Sequence, residues 1–125
     1  MESFDTIVIG SGPGGYVCAI RCAQLGMKVA IIEKYNNLGG TCLNVGCIPS
    51  KSLLESSELF HKSVSDFSEH GIIASPKFDF SKIIARKSKV VKENSDGLNF
   101  LMKKNKISVF HGLGSLKKDG SVLVE

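Results

Sequence analysis

The sequence predicts an α/β domain on a parallel β-sheet, and three observations carry that prediction. Two short β-branched runs, FDTIVI over residues 4–9 and VAII over 29–32, flank a stretch of helical spacing. The first run ends in a cluster of glycines. A third run lies at 107–110, beyond two more helical stretches. Strands buried on both faces read as continuous apolar runs of this kind.

Each element has its own signal. Residues 14–25 place Tyr16, Ala19, Ile20 and Ala23 at helical spacing, and Gly26 follows where a helix C-terminus favours glycine. Strand, helix and strand make a βαβ unit. A second helical region runs from 39 to about 67, with Gly46 and Pro49 expected to interrupt it near its start. Residues 71–78, with Pro76, read as a loop. Asp79 then precedes a long helix whose apolar positions (83, 84, 90, 91, 98, 101 and 102) are suited to burying one stripe. Asp119-Gly120, between Leu116 and residues 122–124, is a hairpin signal. The three parallel strands are expected in the order 3-2-1, with an antiparallel extension from Leu116 onward.

A chain of 125 residues is one small domain. Its 42% hydrophobic and 22% charged residues exclude a disordered or collagen-like chain. No apolar run approaches the roughly 18 residues of a membrane span, and the first run is too short and too near Met1 for a signal-peptide core. A cytoplasmic protein with no membrane partner is expected. The net charge of +4 is mild and gives no indication of nucleic acid. Most of the excess lies between Lys77 and Lys106 and reads as a solvated helix face. The last strand pattern stops at Glu125, which suggests a fragment of a longer chain.

Gly10-Ser11-Gly12-Pro13-Gly14-Gly15 sets glycines at 10, 12 and 15 in a G-x-G-x-x-G frame, directly after the first strand and opening the first helix. Gly10 permits the tight turn. Gly12 lets a pyrophosphate approach the backbone, and Gly15 lets the helix pack closely on the strand. Unpaired N–H groups and the helix dipole favour the anion. Glu33, at the end of the second strand, is placed to accept hydrogen bonds from both ribose hydroxyls of a dinucleotide.

Cys42 and Cys47 lie in GGTCLNVGCIPSK, residues 39–51. Five residues apart on a regular helix, they would diverge by about 140°. A disulfide between them therefore demands local unwinding, which Gly46 and Pro49 permit. A helix start beneath them would favour a reactive thiolate. Cys18 and Cys22, on adjacent turns of the first helix, are expected to help it pack on the sheet and to stay reduced. The four cysteines lack the paired knuckles of a zinc site, so no metal is assigned. His61, His70 and His111 fall in no metal or triad spacing.

The motifs GSGPGGY, the strand ending at Glu33-Lys34, and above all CLNVGCIPSK resemble the N-terminal part of the flavin-dependent disulfide oxidoreductases, most nearly the dihydrolipoamide dehydrogenases. Weaker similarity runs through EHGI at 69–72 and FHGLG at 110–114, so it covers nearly the whole chain. The resemblance implies that residues 1–125 are the N-terminal part of a Rossmann-like FAD-binding domain, without the NAD-binding and C-terminal interface domains. Gly10, Gly12, Gly15, Glu33, Lys34, Gly40, Thr41, Cys42, Lys51 and Gly114 would contact FAD. Cys42 would be the thiol that exchanges with substrate, and Cys47 the one that passes electrons to the flavin. Lys51 would steady negative charge on the reduced ring. It further implies reoxidation of dihydrolipoamide or a lipoyl domain with NAD⁺ as acceptor, in a homodimer serving a 2-oxo acid dehydrogenase complex. Alone, these 125 residues are expected to bind FAD poorly and to be inactive. A glutathione or mercuric reductase of the same fold, and a non-catalytic nucleotide- or metal-binding module, remain as alternatives.

Overall fold

The computed structural model describes residues 2–125. The chain runs β1 (Thr6–Ile9), α1 (Pro13–Gln24), β2 (Val29–Glu33), α2 (Gly40–Asn44), α3 (Cys47–Ser65), α4 (Phe80–Lys104), β3 (Ser108–His111), β4 (Gly114–Leu116) and β5 (Val122–Val124). The first three strands form one parallel sheet with β2 between β1 and β3, which is the predicted 3-2-1 order. Val8 pairs with Ile31, and Ile31 in turn with Val109. Hydrogen bonding on both edges buries every residue of β2.

The core lies on the helical side of this sheet. Ala19 of α1 and Leu98 and Met102 of α4 close on Val29 and Ile31, with Leu38 and Ile107 completing the cluster. Tyr16, Ile20 and Ala23 pack against it, as the spacing in α1 predicted. Pro13 opens α1, where its fixed φ suits the helix and its missing N–H is not needed. Asp79 caps α4 by accepting from the Lys82 N–H at 3.2 Å. Most basic residues of α4 are exposed, and Lys89–Glu93 and Lys92–Asp96 form ion pairs along it, but Arg86 instead reaches α3, donating to the Ser52 carbonyl and hydroxyl and pairing with Glu55. On the other side of the sheet, Val122 and Val124 share a hollow with Ile7, Ile32 and Phe110. The β4–β5 hairpin, closed by Asp119 and Gly120 (φ +83°), therefore faces the sheet.

Four expectations need correction. Pro49 does not interrupt a helix; it sits in the first turn of α3, where no intrahelical partner awaits its N–H. The break falls at Val45-Gly46 alone, where Gly46 leaves the helical region at φ −119° and ψ −110°; a Cβ there would stand 3.0 Å from the Thr41 carbonyl oxygen, which favours glycine. Cys18 is exposed, and only Cys22 packs against the core, because the small stripe of α1 is centred on Ala19 and Ala23. Leu101 stays exposed although it lies one residue from buried Met102. The antiparallel extension also begins at Gly114, two residues before Leu116.

Candidate functional site

The end of β1 turns into α1 through Gly10, whose φ of +95° side-chain-bearing residues rarely adopt. Gly15, on the first turn of α1, lies against that turn. A Cβ there would meet the Gly10 carbonyl oxygen at 1.9 Å, so the helix start can approach only because the side chain is missing. Gly12 is the opposite case: nothing lies within 4 Å of where its Cβ would be. Its missing side chain leaves open space above the backbone. No side chain caps the N-terminus of α1, so its first-turn N–H groups face this space with the positive end of the helix dipole.

Glu33 closes the other side. Its carboxylate is buried, with Oε2 accepting from the Ser11 N–H at 2.9 Å and the Ser11 hydroxyl at 2.5 Å, and Oε1 accepting from the Tyr35 N–H at 3.0 Å. Burial pushes its pKa up. The hydrogen bonds from Ser11, Tyr35 and Lys34 outweigh that and hold it below the ordinary glutamate value. Ser11 is fully buried and also accepts from the Gly39 N–H, through its hydroxyl at 3.1 Å and its carbonyl at 3.0 Å. One small side chain thus joins the glycine loop to the end of β2 and to the entry of α2. Sequence reasoning passed over Ser11; a lone hydroxyl between two loop glycines was the available signal.

These elements enclose a cleft of about 400 Å³. Gly10 and Gly12 line it from the loop, Glu33 and Lys34 from the end of β2, Gly40 and Thr41 from α2, and Gly114 from β4. Ile9, Ile32, Tyr35, Gly112 and Leu113 complete the wall and were not foreseen. Gly40 (φ +60°) is pressed so closely on the loop that a Cβ would stand 2.8 Å from the Gly12 Cα. Gly15 lies behind the cleft as packing. The open face of Gly12, the uncapped helix and the buried carboxylate suit a nucleotide diphosphate with its ribose.

Thr41 lines the cleft, and the next residue is Cys42. Cys42 and Cys47 are bridged, with Cα atoms 4.6 Å apart, across the break between α2 and α3. Cys42 is half-buried and Cys47 exposed. Cys47 is the first residue of α3, a helix of 19 residues, so a thiolate released there sits at the positive end of its dipole. Lys51 is exposed one turn further on and borders a separate depression with Ile48, Glu55 and Arg86. The structure thus brings seven proposed contacts into one cleft and leaves Cys42, Cys47 and Lys51 outside its lining. Cys18 and Cys22 are free thiols and do not line the cleft. His111 rests its Nδ1 3.1 Å from the Tyr35 carbonyl oxygen.

The family model described as pyridine nucleotide-disulphide oxidoreductase matches residues 4–124. The chain belongs to this family. Among individual proteins it is 48% identical over 122 residues to leghemoglobin reductase of Vigna unguiculata, covering 97% of this chain and 23% of that one. It is 48% identical over 125 residues to the dihydrolipoyl dehydrogenase of Zymomonas mobilis, covering 99% of this chain and 26% of the relative. Among solved structures, the flavoprotein disulfide reductase RclA of Escherichia coli, in a Cu(II) complex, superposes with a TM-score of 0.77. The identity there is 29%, over 96% of this chain and 24% of that one. The chain spans about a quarter of the length of these family members. The shared architecture is the α/β fold with its parallel three-stranded sheet.

Proposed function

We propose that residues 1–125 form the N-terminal part of the FAD-binding domain of a dihydrolipoamide dehydrogenase and carry its redox disulfide. The observation that supports this most directly is continuity: Thr41 lines the nucleotide cleft, and the bridged Cys42 is the next residue. A dinucleotide cofactor and a dithiol–disulfide couple would thus be held by one short segment.

In this reading the first-turn N–H groups of α1, reached over Gly12, hold the pyrophosphate of FAD, and Glu33 accepts from its adenosine ribose. Lys34, Gly40, Thr41, Cys42 and Gly114 complete the contacts along the cofactor, and Lys51 supplies a cation at the ring end. Bound FAD supplies two-electron acceptance from a thiolate and hydride delivery to NAD⁺. The residues of the chain do the thiol chemistry. A thiolate of the dithiol substrate attacks Cys42 Sγ, the Cys42–Cys47 bond breaks, and Cys47 leaves as a thiolate stabilised at the start of α3. The second substrate thiol then attacks the mixed disulfide and releases Cys42. The substrate departs as a cyclic disulfide, having passed two electrons to the cysteine pair. The substrate is dihydrolipoamide, free or on a lipoyl domain, and the partners are a second subunit and a 2-oxo acid dehydrogenase complex in the cytoplasm. The printed name of several relatives, dihydrolipoyl dehydrogenase, supports the substrate. Among the described residues, no helix is long and apolar enough to cross a membrane.

The test is a parallel assay of the full-length protein that carries residues 1–125, supplied with FAD, using dihydrolipoamide with NAD⁺ and glutathione disulfide with NADPH. NAD⁺ reduction by dihydrolipoamide is expected of the full-length protein, and none of residues 1–125 alone. Turnover only with glutathione disulfide reassigns the substrate, and a cysteine pair that does not cycle in either assay refutes the redox reading.

A further inference from the structure

We infer that Asn44, between the two cysteines, is a positioning residue that sets the disulfide–dithiol balance of Cys42 and Cys47. The inference rests on the reading of that pair as the redox couple and assigns to it a residue outside the cleft contacts.

Asn44 ends α2, two residues after Cys42 and three before Cys47. Its Nδ2 donates to the Leu38 carbonyl at 3.1 Å and to the Gly40 carbonyl at 2.9 Å. Two carbonyls on one nitrogen determine the orientation of the amide, because the flipped group would set Oδ1 against two acceptors. Oδ1 is consequently buried without a partner, and no other buried side-chain atom among the described residues is so placed. An unpaired buried acceptor is unfavourable, so the two bonds on the Nδ2 side are what the position is built around.

Those bonds hold a turn that little else can hold. Gly39 and Gly40 both take positive φ, at +104° and +60°. The turn is squeezed between α2, where a Gly39 Cβ would meet Leu43 at 2.6 Å, and the glycine loop. From the cleft side, Ser11 holds the Gly39 N–H. From the disulfide side, Asn44 holds the carbonyls on either side of Gly39. A continuous set of hydrogen bonds therefore runs from the Glu33 carboxylate through Ser11 and the Gly39–Gly40 turn to Asn44. α2 is only five residues long and has no side-chain cap, so its own backbone bonds fix it weakly. Without Asn44, the turn that opens α2 is held less firmly, and Cys42 less closely within bridging distance of Cys47. Pre-organisation raises the effective concentration of one thiol at the other, so its loss shifts the balance toward the dithiol.

The experiment equilibrates the protein in glutathione redox buffers, blocks free thiols and reads the Cys42–Cys47 bridge by mass spectrometry. The unsubstituted protein tests the redox reading itself, through a reversible bridge. Asn44→Asp keeps the shape but removes the donor, and Asn44→Ser is a milder variant should the first not fold. Each is expected to lower the equilibrium constant for the bridge by about tenfold, equivalent to about 30 mV. Asn105→Ala serves as control, since it removes an amide bonded to the Leu101 carbonyl at the far end of α4. A reversible bridge whose constant stays within twofold in the Asn44 variants overturns the inference and leaves the redox reading intact. A shift toward the disulfide, or an equal shift in Asn105→Ala, also overturns it.

Discussion

The cleft and the disulfide lie within a few residues of each other yet are built in opposite ways. Around the cleft, shape comes from missing side chains and from buried hydrogen bonds centred on Ser11 and Glu33. At the disulfide, shape comes from a covalent bond across a break between two helices, with one sulfur bearer exposed. In the proposed reading the first arrangement must stay constant while a cofactor is held. The second, if it cycles as proposed, must open and close, and it lies where few packing contacts depend on its state.

Substitutions can break that contrast, and they rank by expected loss of stability. Gly15→Ala forces a Cβ onto the Gly10 carbonyl at 1.9 Å, and the backbone has no flexible end to yield. Unfolding in urea should show a loss of about 3 kcal/mol, together with loss of nucleotide binding. Cys42→Ser comes next. The bridge closes a loop between residues only five apart, so its removal should cost about 2 kcal/mol, while in the full-length protein the proposed thiol-dependent turnover should fall by more than about 10³-fold. A larger stability loss than for Gly15→Ala would mean that the disulfide, not the glycine loop, organises this end of the sheet.

Glu33→Gln sharpens the account of the cleft. The amide can keep the Ser11 donors on its oxygen but then sets an NH₂ group against the Tyr35 N–H, at a cost of about 1–2 kcal/mol. The pH dependence follows from the lowered pKa of Glu33. Its contribution is full above the unfolded value of about 4.3 and is lost as pH falls through the lower folded value. Melting curves of the unsubstituted protein should therefore fall more steeply below about pH 4 than those of Glu33→Gln. Gly12→Ala has the smallest structural effect. Gly12 has φ −63° and ψ 177°, which alanine adopts freely, and no atom lies near the added methyl. Stability should change by less than about 1 kcal/mol, with a slight gain permitted. FAD titration should nonetheless show at least about tenfold weaker binding, because the methyl occupies the space a pyrophosphate needs. A Gly12→Ala protein that binds FAD normally would remove the phosphate assignment while leaving the fold untouched.

The sequence by itself determined the βαβ unit, the glycine turn, the position of Glu33 and the need for a helix break between Cys42 and Cys47. Those features follow from local rules: residue periodicity, the φ that only glycine tolerates, and the angular divergence of residues five apart on a helix. Tertiary structure alone decided which side chains meet. Leu101 and Met102 are equally apolar neighbours on α4, yet only Met102 points at the sheet. Cys18 and Cys22 share a helix, and only Cys22 reaches the core. The hydrogen bonds of Ser11 to Glu33 span 22 residues, and no local pattern announces a contact of that range. Asn44 reads as one polar residue in a short helix until the doubly left-handed turn at Gly39 and Gly40 brings two carbonyls to its amide. Backbone conformation is a property of a few consecutive residues, whereas the partner of a buried polar group depends on where distant segments pack, and that is settled only when the sheet and its helices close.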